Sequence, residues 1–380
     1  MESAAELYRY YARLRAEDPV HESRPGVWLL TRYEDVSAVL RDPRFGRKGF
    51  LDLIAPQIGE PKISPMRFQD PPGHTRLRNL VSNVFTPDLV GSLRPRIQRI
   101  VDDLLDRARD AGGMDLIAGL GLTLSVQVIL ELLGVPTHDH ERFAQWSRDM
   151  SRSLDATAGS DASACGNAAQ QAVDEYFRGL IAERRQSPGT DFVSGLIAAE
   201  HDGELMQQAE LLDICGLMFV AGHATTVDLI GNGVFNLLLY PSELRRLRAE
   251  PGLLAHAVEE LLRYDSPVQR IGRMANRDVV IRGKLIPSGA VVFPMLGAAN
   301  RDPAQYAEPG RLDLTRRHSR HMAFGYGAHA CIGASLARLE GQIAIGTMVR
   351  RFPELALGDA TPQWRNSTET RGLKELLVTF

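Results

Sequence analysis

A glycine-rich segment around Cys331 contains residue types that could bind a metal or act as a nucleophile. The segment, MAFGYGAHACIGASLARLE, places Gly325, Gly327 and Gly333 beside the cysteine, and a helical pattern follows directly. Glycine permits backbone conformations closed to other residues and a close approach to a flat, bulky group. At a helix N-terminus, unpaired N–H groups and the helix dipole favour a thiolate. The segment therefore predicts a nucleophile or a ligand to a soft metal centre, with a buried structural cysteine as the alternative.

The segment AGHATT, Ala221 to Thr226, interrupts the longest apolar run of the chain, Leu211 to Leu239. The run is long enough to span a bilayer, but its longest stretch without a carboxylate, Ile214 to Val227, is too short to cross one. We therefore predict the long central helix of a soluble protein, with polar groups at its middle.

Composition limits the possible classes of protein. The chain has 380 residues, is 44% hydrophobic and carries a formal net charge of -3, which gives no reason to expect a nucleic-acid or membrane partner. The three cysteines include no C-x-x-C pair, which excludes a disulfide framework and a zinc ribbon. The N-terminus lacks the apolar region of a signal peptide, so we expect a cytoplasmic protein.

Apolar periodicity predicts a mainly α-helical fold with small β-sheets, in one domain over residues 1–380. The predicted helices are Ala4 to Glu17, Tyr33 to Arg41, Pro95 to Ala111, Ser125 to Leu133, Ala168 to Arg185, Gln207 to Leu239, Leu253 to Tyr264 and Ile332 to Arg351. Strands are predicted at VWLLT near residue 29, within Asp278 to Phe293, and at the C-terminal ELLVTF. Asp155 to Ala169 reads as a loop between helices or as a domain linker.

The string Phe324-Gly325-x-Gly327-x-His329-x-Cys331-x-Gly333 resembles the haem-ligand loop of the cytochrome P450 superfamily, in its soluble bacterial form. The resemblance implies haem b between the long central helix and the cysteine-loop helix, with Cys331 as the axial ligand of the iron. Phe324 would pack on the thiolate side and keep water from the sulfur.

Two further sets of residues match motifs of the superfamily. Glu260 and Arg263 match its E-x-x-R motif, in which a third basic residue, here Arg311, would complete a buried network. An i,i+3 pair by itself is also compatible with a solvated surface salt bridge. Four residues match positions that bind the haem propionates: His74, Arg78, Arg273 and His329.

AGHATT falls on the superfamily motif A-G-x-[DE]-T. Ala221 and Gly222 would leave room for dioxygen, and the Thr225 hydroxyl would hydrogen-bond the oxygen or a water in the proton path. Back-bonding to the i−4 carbonyl is the alternative for a helical threonine. Thr226 is expected to pack away from the haem.

Ala224 departs from the family pattern, since alanine cannot relay the proton that Asp or Glu would carry there. Another group could do so, with His223, a water chain or the substrate as candidates, or His223 could be an ordinary helix histidine. Alternatively, the enzyme uses peroxide or performs oxidative coupling, or a native acid has been substituted.

The resemblance implies a monooxygenase that inserts one oxygen atom from O2 into a small organic substrate, with electrons from a ferredoxin and its NAD(P)H-dependent reductase. A basic docking face for the ferredoxin could include Arg316, Arg317, Arg320 and Arg338, which could equally be a solvated charge run. A haem-binding or recruitment protein that has lost oxygen activation is the alternative from another class.

The segments that would contact the substrate lie where the family's variable regions lie. They are Phe50 to Phe68, Trp146 to Gly159, the central helix near Met218 to Ala221, and Val268 to Ile271, with Met218, Val268, Gln269 and Ile271 as pocket candidates. Their composition suggests a mostly apolar molecule with some polar groups, such as a bacterial secondary metabolite or its precursor.

Overall fold

The computed structural model describes residues 4–58, 66–153, 160–199, 206–317 and 320–380. The chain divides into two compact units. The first contains Met1–Arg76, Gly252–Cys331 and Thr368–Arg371, and the second contains Leu77–Pro251, Ile332–Ser367 and Gly372–Phe380. A single domain over residues 1–380 stays a prediction.

Helices dominate both units, which confirms the mainly α-helical class. Their bounds are α1 (Ala4–Glu17), α2 (Tyr33–Arg41), α3 (Lys48–Ile58), α4 (Gly73–Val84), α5 (Pro87–Ser92), α6 (Arg94–Ala111), α7 (Thr123–Leu133), α8 (His140–Ser153), α9 (Ser160–Gln186), α10 (Phe192–Ala199), α11 (Gln208–Leu239), α12 (Pro241–Ala249), α13 (Leu254–Tyr264), α14 (Leu296–Ala299) and α15 (Ala334–Arg351).

One predicted boundary is wrong by eight residues. Helix α9 begins at Ser160 rather than Ala168, so the last part of the segment expected to be a loop or a domain linker is helical. The alanines of SDASACGNAAQ explain the difference, because alanine has the highest helix propensity and small side chains do not by themselves end a helix. Residues 154–159 lie outside the described part of the chain.

The strands are short and form four small sheets. They are β1 (Val20–Arg24), β2 (Val27–Leu30), β3 (Phe45–Gly46), β4 (Gly113–Asp115), β5 (Arg273–Ala275), β6 (Val279–Ile281), β7 (Lys284–Ile286), β8 (Val291–Pro294), β9 (Ala356–Leu357), β10 (Gln363–Trp364), β11 (Leu373–Glu375) and β12 (Leu377–Thr379). The first unit contains the sheets β1-β2-β8-β5-β3 and β6-β7, and the second contains β4-β12-β9 and β10-β11.

The predicted strand–turn–strand segment from Asp278 to Phe293 divides between two sheets. Strands β6 and β7 form a hairpin whose turn residues, Arg282 and Gly283, both have positive φ, 49° and 76°. Two such residues match the type I′ turn that suits the twist of a hairpin. After a second turn β8 instead pairs with β2 and β5.

The central helix α11 is capped at its start and buried along most of its length. A capping box joins Gln207 and Glu210, and the Gln207 N–H donates to Glu210 at 2.9 Å. By length and composition, Leu116–Leu133 and Gln208–Leu239 could each cross a membrane, but 61% and 67% of their most apolar windows are buried in the protein. Such burial is what core helices show, so the two segments are weak evidence for a membrane span.

Helix α15 contains a buried acid, Glu340, with 1% of its surface exposed. Burial raises the pKa of this carboxyl from 4.5 to about 8, so the folded protein retains a proton that the unfolded chain releases. The contribution of Glu340 to the free energy of unfolding is therefore fully present below pH 4.5, and it is lost as the pH rises toward about 8.

We therefore expect Glu340→Gln to weaken the pH dependence of stability. Between about pH 5 and about pH 8 its free energy of unfolding should fall less than that of the wild type, by on the order of 3 kcal/mol. Urea unfolding at both pH values measures the difference, and Glu354→Gln, on an exposed residue, should follow the wild type. Equal pH dependence in Glu340→Gln and wild type would contradict a protonated Glu340.

Candidate functional site

The loop that carries Cys331 is held by its own backbone and by two left-handed glycines. Gly325 and Gly327 have φ values of 67° and 73°, and a Cβ atom on Gly327 would overlap the Leu40 carbonyl oxygen. The Cys331 N–H donates to the Phe324 carbonyl at 2.8 Å. Cys331 itself is exposed, which excludes the buried structural cysteine and leaves a thiol presented by a fixed loop.

A buried ion pair lies beneath this loop in the first unit. Glu260 and Arg263 are both 0% exposed, and their side chains are joined at 2.7 and 2.8 Å. Arg263 also donates to the carbonyl of Asn300 at 2.9 Å, and the Asn300 side chain accepts from the Met322 N–H at 2.7 Å. The pair is therefore structural and connected to the start of the cysteine loop, which excludes the solvated surface bridge.

The third basic residue of this network is Arg316, and the prediction of Arg311 is wrong. Arg316 Nε lies 3.2 Å from the Glu260 carboxylate. Arg311 contributes only its carbonyl, which accepts from Arg263 at 3.2 Å, while its guanidinium is exposed and lies near Glu308. The turn after Arg311 returns the chain to Glu260, which no local pattern signals. Arg316 is consequently not part of an exposed docking face.

The structure brings together two of the predicted propionate-binding residues. The rings of His74 and His329 are in contact, with their centroids 3.9 Å apart and their planes tilted by 37°, and His74 is 3% exposed. Arg273 begins β5 and is 2% exposed. Arg78 is half-buried and lies one turn after His74 on α4.

These side chains fit haem by their chemistry. The Arg273 guanidinium donates to the Gly272 carbonyl at 3.1 Å, and no ion pair within the described residues includes it. Burial lowers the pKa of Arg273 to about 10, which reflects the cost of a charge away from water. A buried cation of this kind calls for an anion, and a propionate would supply one. A cysteine thiolate in the neighbouring loop is a suitable ligand for haem iron.

Helix α11 has one open face near its middle. Ala221 is exposed, and Leu217, Ala224 and Thr225, at helical spacing on the same face, are half-buried. Gly222 lies against α7, where a Cβ atom would crowd the Ile129 side chain at 2.7 Å, so close helix packing also requires this glycine.

The two threonines of AGHATT differ in their contacts. Thr226 is 3% exposed, and its hydroxyl donates to the Gly222 carbonyl at 3.5 Å. In the described part of the chain, the Thr225 hydroxyl forms no such bond, so back-bonding applies to Thr226 and not to Thr225.

His223 points away from the open face. It lies about 200° around the helix from Thr225 and is 4% exposed. Its Nδ1 lies 2.6 Å from the Phe219 carbonyl and its Nε2 lies 2.7 Å from the Ser147 hydroxyl on α8. Since the carbonyl can only accept, Nδ1–H donates to it and Nε2 accepts from Ser147. Burial lowers the pKa of His223 to about 4, so this geometry favours the ordinary helix histidine over the proton relay.

The predicted substrate-contacting residues differ in how far their side chains are buried or hydrogen-bonded within the protein. Gln269 is 2% exposed and donates to the Ser266 carbonyl at 2.7 Å, which assigns it to the buried network of the first unit and corrects its place in the pocket. Met218 is buried on α11. Val268 and Ile271 are half-buried, and Ile271 Cδ1 lies 3.6 Å from the position that a Cβ atom on Gly325 would take.

The two longer substrate segments are described only in part. Phe50 and Phe68 are each 5% exposed and pack in one cluster with Leu51 and Val291, whereas residues 59–65 lie outside the description. Trp146 packs edge-on against Phe143 with ring centroids 4.9 Å apart, and residues 154–159 are not described.

Comparison with known proteins gives a consistent result. The sequence model of the family described as Cytochrome P450 matches residues 142–371. Cytochrome P450 107B1 of Saccharopolyspora erythraea is 42% identical over 99% of this chain and 95% of its own length. Cytochrome P450 monooxygenase PikC of Streptomyces venezuelae is 41% identical over 99% and 91% of the two chains. The crystal structure of P450BioI in complex with an acyl carrier protein ligated to hexadec-9Z-enoic acid has a TM-score of 0.89, with 38% identity and 99% of both chains covered.

Proposed function

Because this chain belongs to the cytochrome P450 family, we propose that it inserts one oxygen atom from O2 into a small organic substrate, using haem b and electrons from a ferredoxin. The enzyme class is an oxygen-incorporating oxidoreductase, as the names of its relatives indicate. The observation that carries the proposal is Cys331, exposed on a loop that two left-handed glycines hold in place.

The residues that match the family's haem-binding motifs divide into those beside the iron and those for the propionates. Cys331 holds the iron through its thiolate, and Phe324, half-buried with its ring 5.8 Å from that of His321, keeps water from the sulfur. His74, Arg78, Arg273 and His329 hold the propionates. The haem, when bound, supplies the activation of dioxygen, for which a thiolate ligand favours cleavage of the O–O bond.

On α11 the open face supplies space and a hydroxyl group. Ala221 presents no side chain beyond its methyl group, and the Thr225 hydroxyl is available to hydrogen-bond oxygen or water, whereas Gly222 packs against α7. Because Ala224 cannot hold a proton and His223 is engaged with Phe219 and Ser147, we propose that water or a substrate group hands protons to Thr225.

The relatives suggest a class of substrate and a set of partner proteins for this chain. We propose a bacterial secondary metabolite or its precursor, either free or attached to a carrier protein of the kind present in the P450BioI complex. A ferredoxin and its NAD(P)H-dependent reductase would supply electrons in the cytoplasm. Arg317 and Arg320 are exposed and, with Arg338, are candidates for contacting the ferredoxin.

We expect Ala224→Glu to increase the product formed per NADPH oxidised, by up to about tenfold, if proton delivery limits the wild type. The carboxyl would add a proton donor one residue before Thr225. Turnover with ferredoxin, reductase and NADPH over a panel of substrates measures it, and Ala224→Gln is the matched control because it has the same shape without the ionisable proton. Equal coupling in the two variants would show that another route already delivers the protons.

The same assay distinguishes the alternative functions. Product with peroxide but none with ferredoxin and NADPH would indicate a peroxide-driven enzyme, which the absence of an acid at Ala224 favours. A haem-loaded protein that forms no product under either condition would be a haem-binding or recruitment protein.

A further inference from the structure

Two guanidinium groups of the first unit share one carbonyl oxygen. Arg47 Nη1 donates to the Gly272 carbonyl at 2.6 Å, and Arg273 Nη1 donates to the same oxygen at 3.1 Å. Arg47 directly precedes α3, and Arg273 is the first residue of β5. Within the described ranges neither guanidinium takes part in an ion pair, so two cations meet at one neutral acceptor.

Arg47 is held in this place by contacts that leave little freedom. Its Nε donates to the Arg67 carbonyl at 3.1 Å, and its guanidinium lies 4.7 Å from the centre of the Phe68 ring and 5.5 Å from that of Phe50. A Cβ atom on Gly272 would overlap the Phe50 ring, so this glycine allows the ring to lie against the shared carbonyl. The side chain is thus immobilised before any ligand arrives.

Two acids, Glu369 and Asp70, act electrostatically on Arg47, and within the described residues neither forms an ion pair with its guanidinium. The Asp70 carboxylate accepts from the backbone N–H groups of Arg47 at 2.8 Å and Lys48 at 3.2 Å, where it caps the start of α3. Burial lowers the pKa of Arg47 to about 9, and the positive charges of Arg273 and Arg67 act in the same direction and outweigh the opposing effect of the two acids. Two like charges at one site, one buried and one partly buried, are unfavourable unless an anion joins them.

A carboxylate matches this arrangement, since its two oxygens can each accept from a guanidinium. We propose that Arg47 joins Arg273 in binding one propionate of the haem, as an additional cation that no sequence motif marks. The proposal rests on the proposed function, because Arg273 is assigned to the propionates there.

The test compares haem loss from two porphyrins. Ferric wild-type and Arg47→Gln protein are loaded with haem or with the dimethyl ester of haem, and transfer of the porphyrin to excess apomyoglobin is followed. Loss of one charge-assisted hydrogen bond should accelerate haem release by about tenfold. With the dimethyl ester, which lacks the carboxylates, the two proteins should differ by less than about twofold.

Two variants complete the design. Lys48→Gln removes a neighbouring exposed positive charge and should leave haem release within about twofold of the wild type. Arg47→Lys retains a cation and should recover part of the loss, so a result does not depend on Arg47→Gln alone.

Two results would overturn the proposal: wild-type release of haem from Arg47→Gln, or the same acceleration with the ester as with haem. The second result would show that Arg47 stabilises the segment before α3 or binds another ligand. The proposed function is tested by a separate measurement. It would fail if the reduced carbon monoxide complex of the wild type lacked the red-shifted band of thiolate ligation.

Discussion

Cys331→Ser is expected to abolish the red-shifted carbon monoxide band of the reduced protein and to lower turnover by about a hundredfold or more. A serine hydroxyl does not supply the soft, electron-donating anion that haem iron receives from a thiolate. Serine is similar in size and retains the backbone N–H bond to Phe324, so the loop should keep its conformation. Absorption spectroscopy of the reduced protein with carbon monoxide measures the change directly.

The matched control is Cys165→Ser, on the exposed side of α9. The variant should retain both the carbon monoxide band and the turnover of the wild type. The Cys165 thiol lies within helix α9 and not on a glycine-rich loop, so we do not expect it to bind the iron. If Cys331→Ser keeps the band, Cys331 is not the ligand, whatever its resemblance to the family motif.

Arg263→Met is expected to lower the free energy of unfolding by about 3–5 kcal/mol, the range seen when one partner of a buried ion pair is removed. The change leaves the buried Glu260 carboxylate without its closest cation. It also leaves the carbonyls of Asn300, Pro309 and Arg311 without the donor that now serves all three. Urea unfolding of wild type and variant measures the loss.

Arg311→Gln and Arg316→Gln test the corrected network in the same measurement. Arg311→Gln should change stability by less than about 0.5 kcal/mol, because its guanidinium is exposed and its ion pair among the described residues is with exposed Glu308. Arg316→Gln should cost more than Arg311→Gln, since its side chain is 13% exposed and contacts Glu260. The reverse order would restore the assignment that the sequence motif implied.

Features that depend on neighbours along the chain were predictable. Helices α1 and α2 have the bounds that apolar periodicity predicted, because burial of one helical face is encoded every three or four residues. The glycines at 325 and 327 likewise predicted an unusual backbone, and both have the positive φ that glycine adopts readily.

Long-range packing decided the rest of the candidate site. The spacing of Glu260 and Arg263 marked a pair, but only the returning chain shows that Arg316 completes it. His223 stands within AGHATT, and its contact with Ser147, 76 residues away along the chain, shows that it faces away from Thr225.

The sequence by itself determined the residue types at the site: a cysteine on a glycine loop, cations for carboxylates, and an alanine where an acid is usual. Tertiary structure alone decided which of those side chains meet. Arg47, just before α3, and Arg273, at the start of β5, come together because both donate to the carbonyl of Gly272. That carbonyl lies 225 residues from Arg47 along the chain. No local pattern records such a meeting, because its energy comes from burial and from contacts between distant segments.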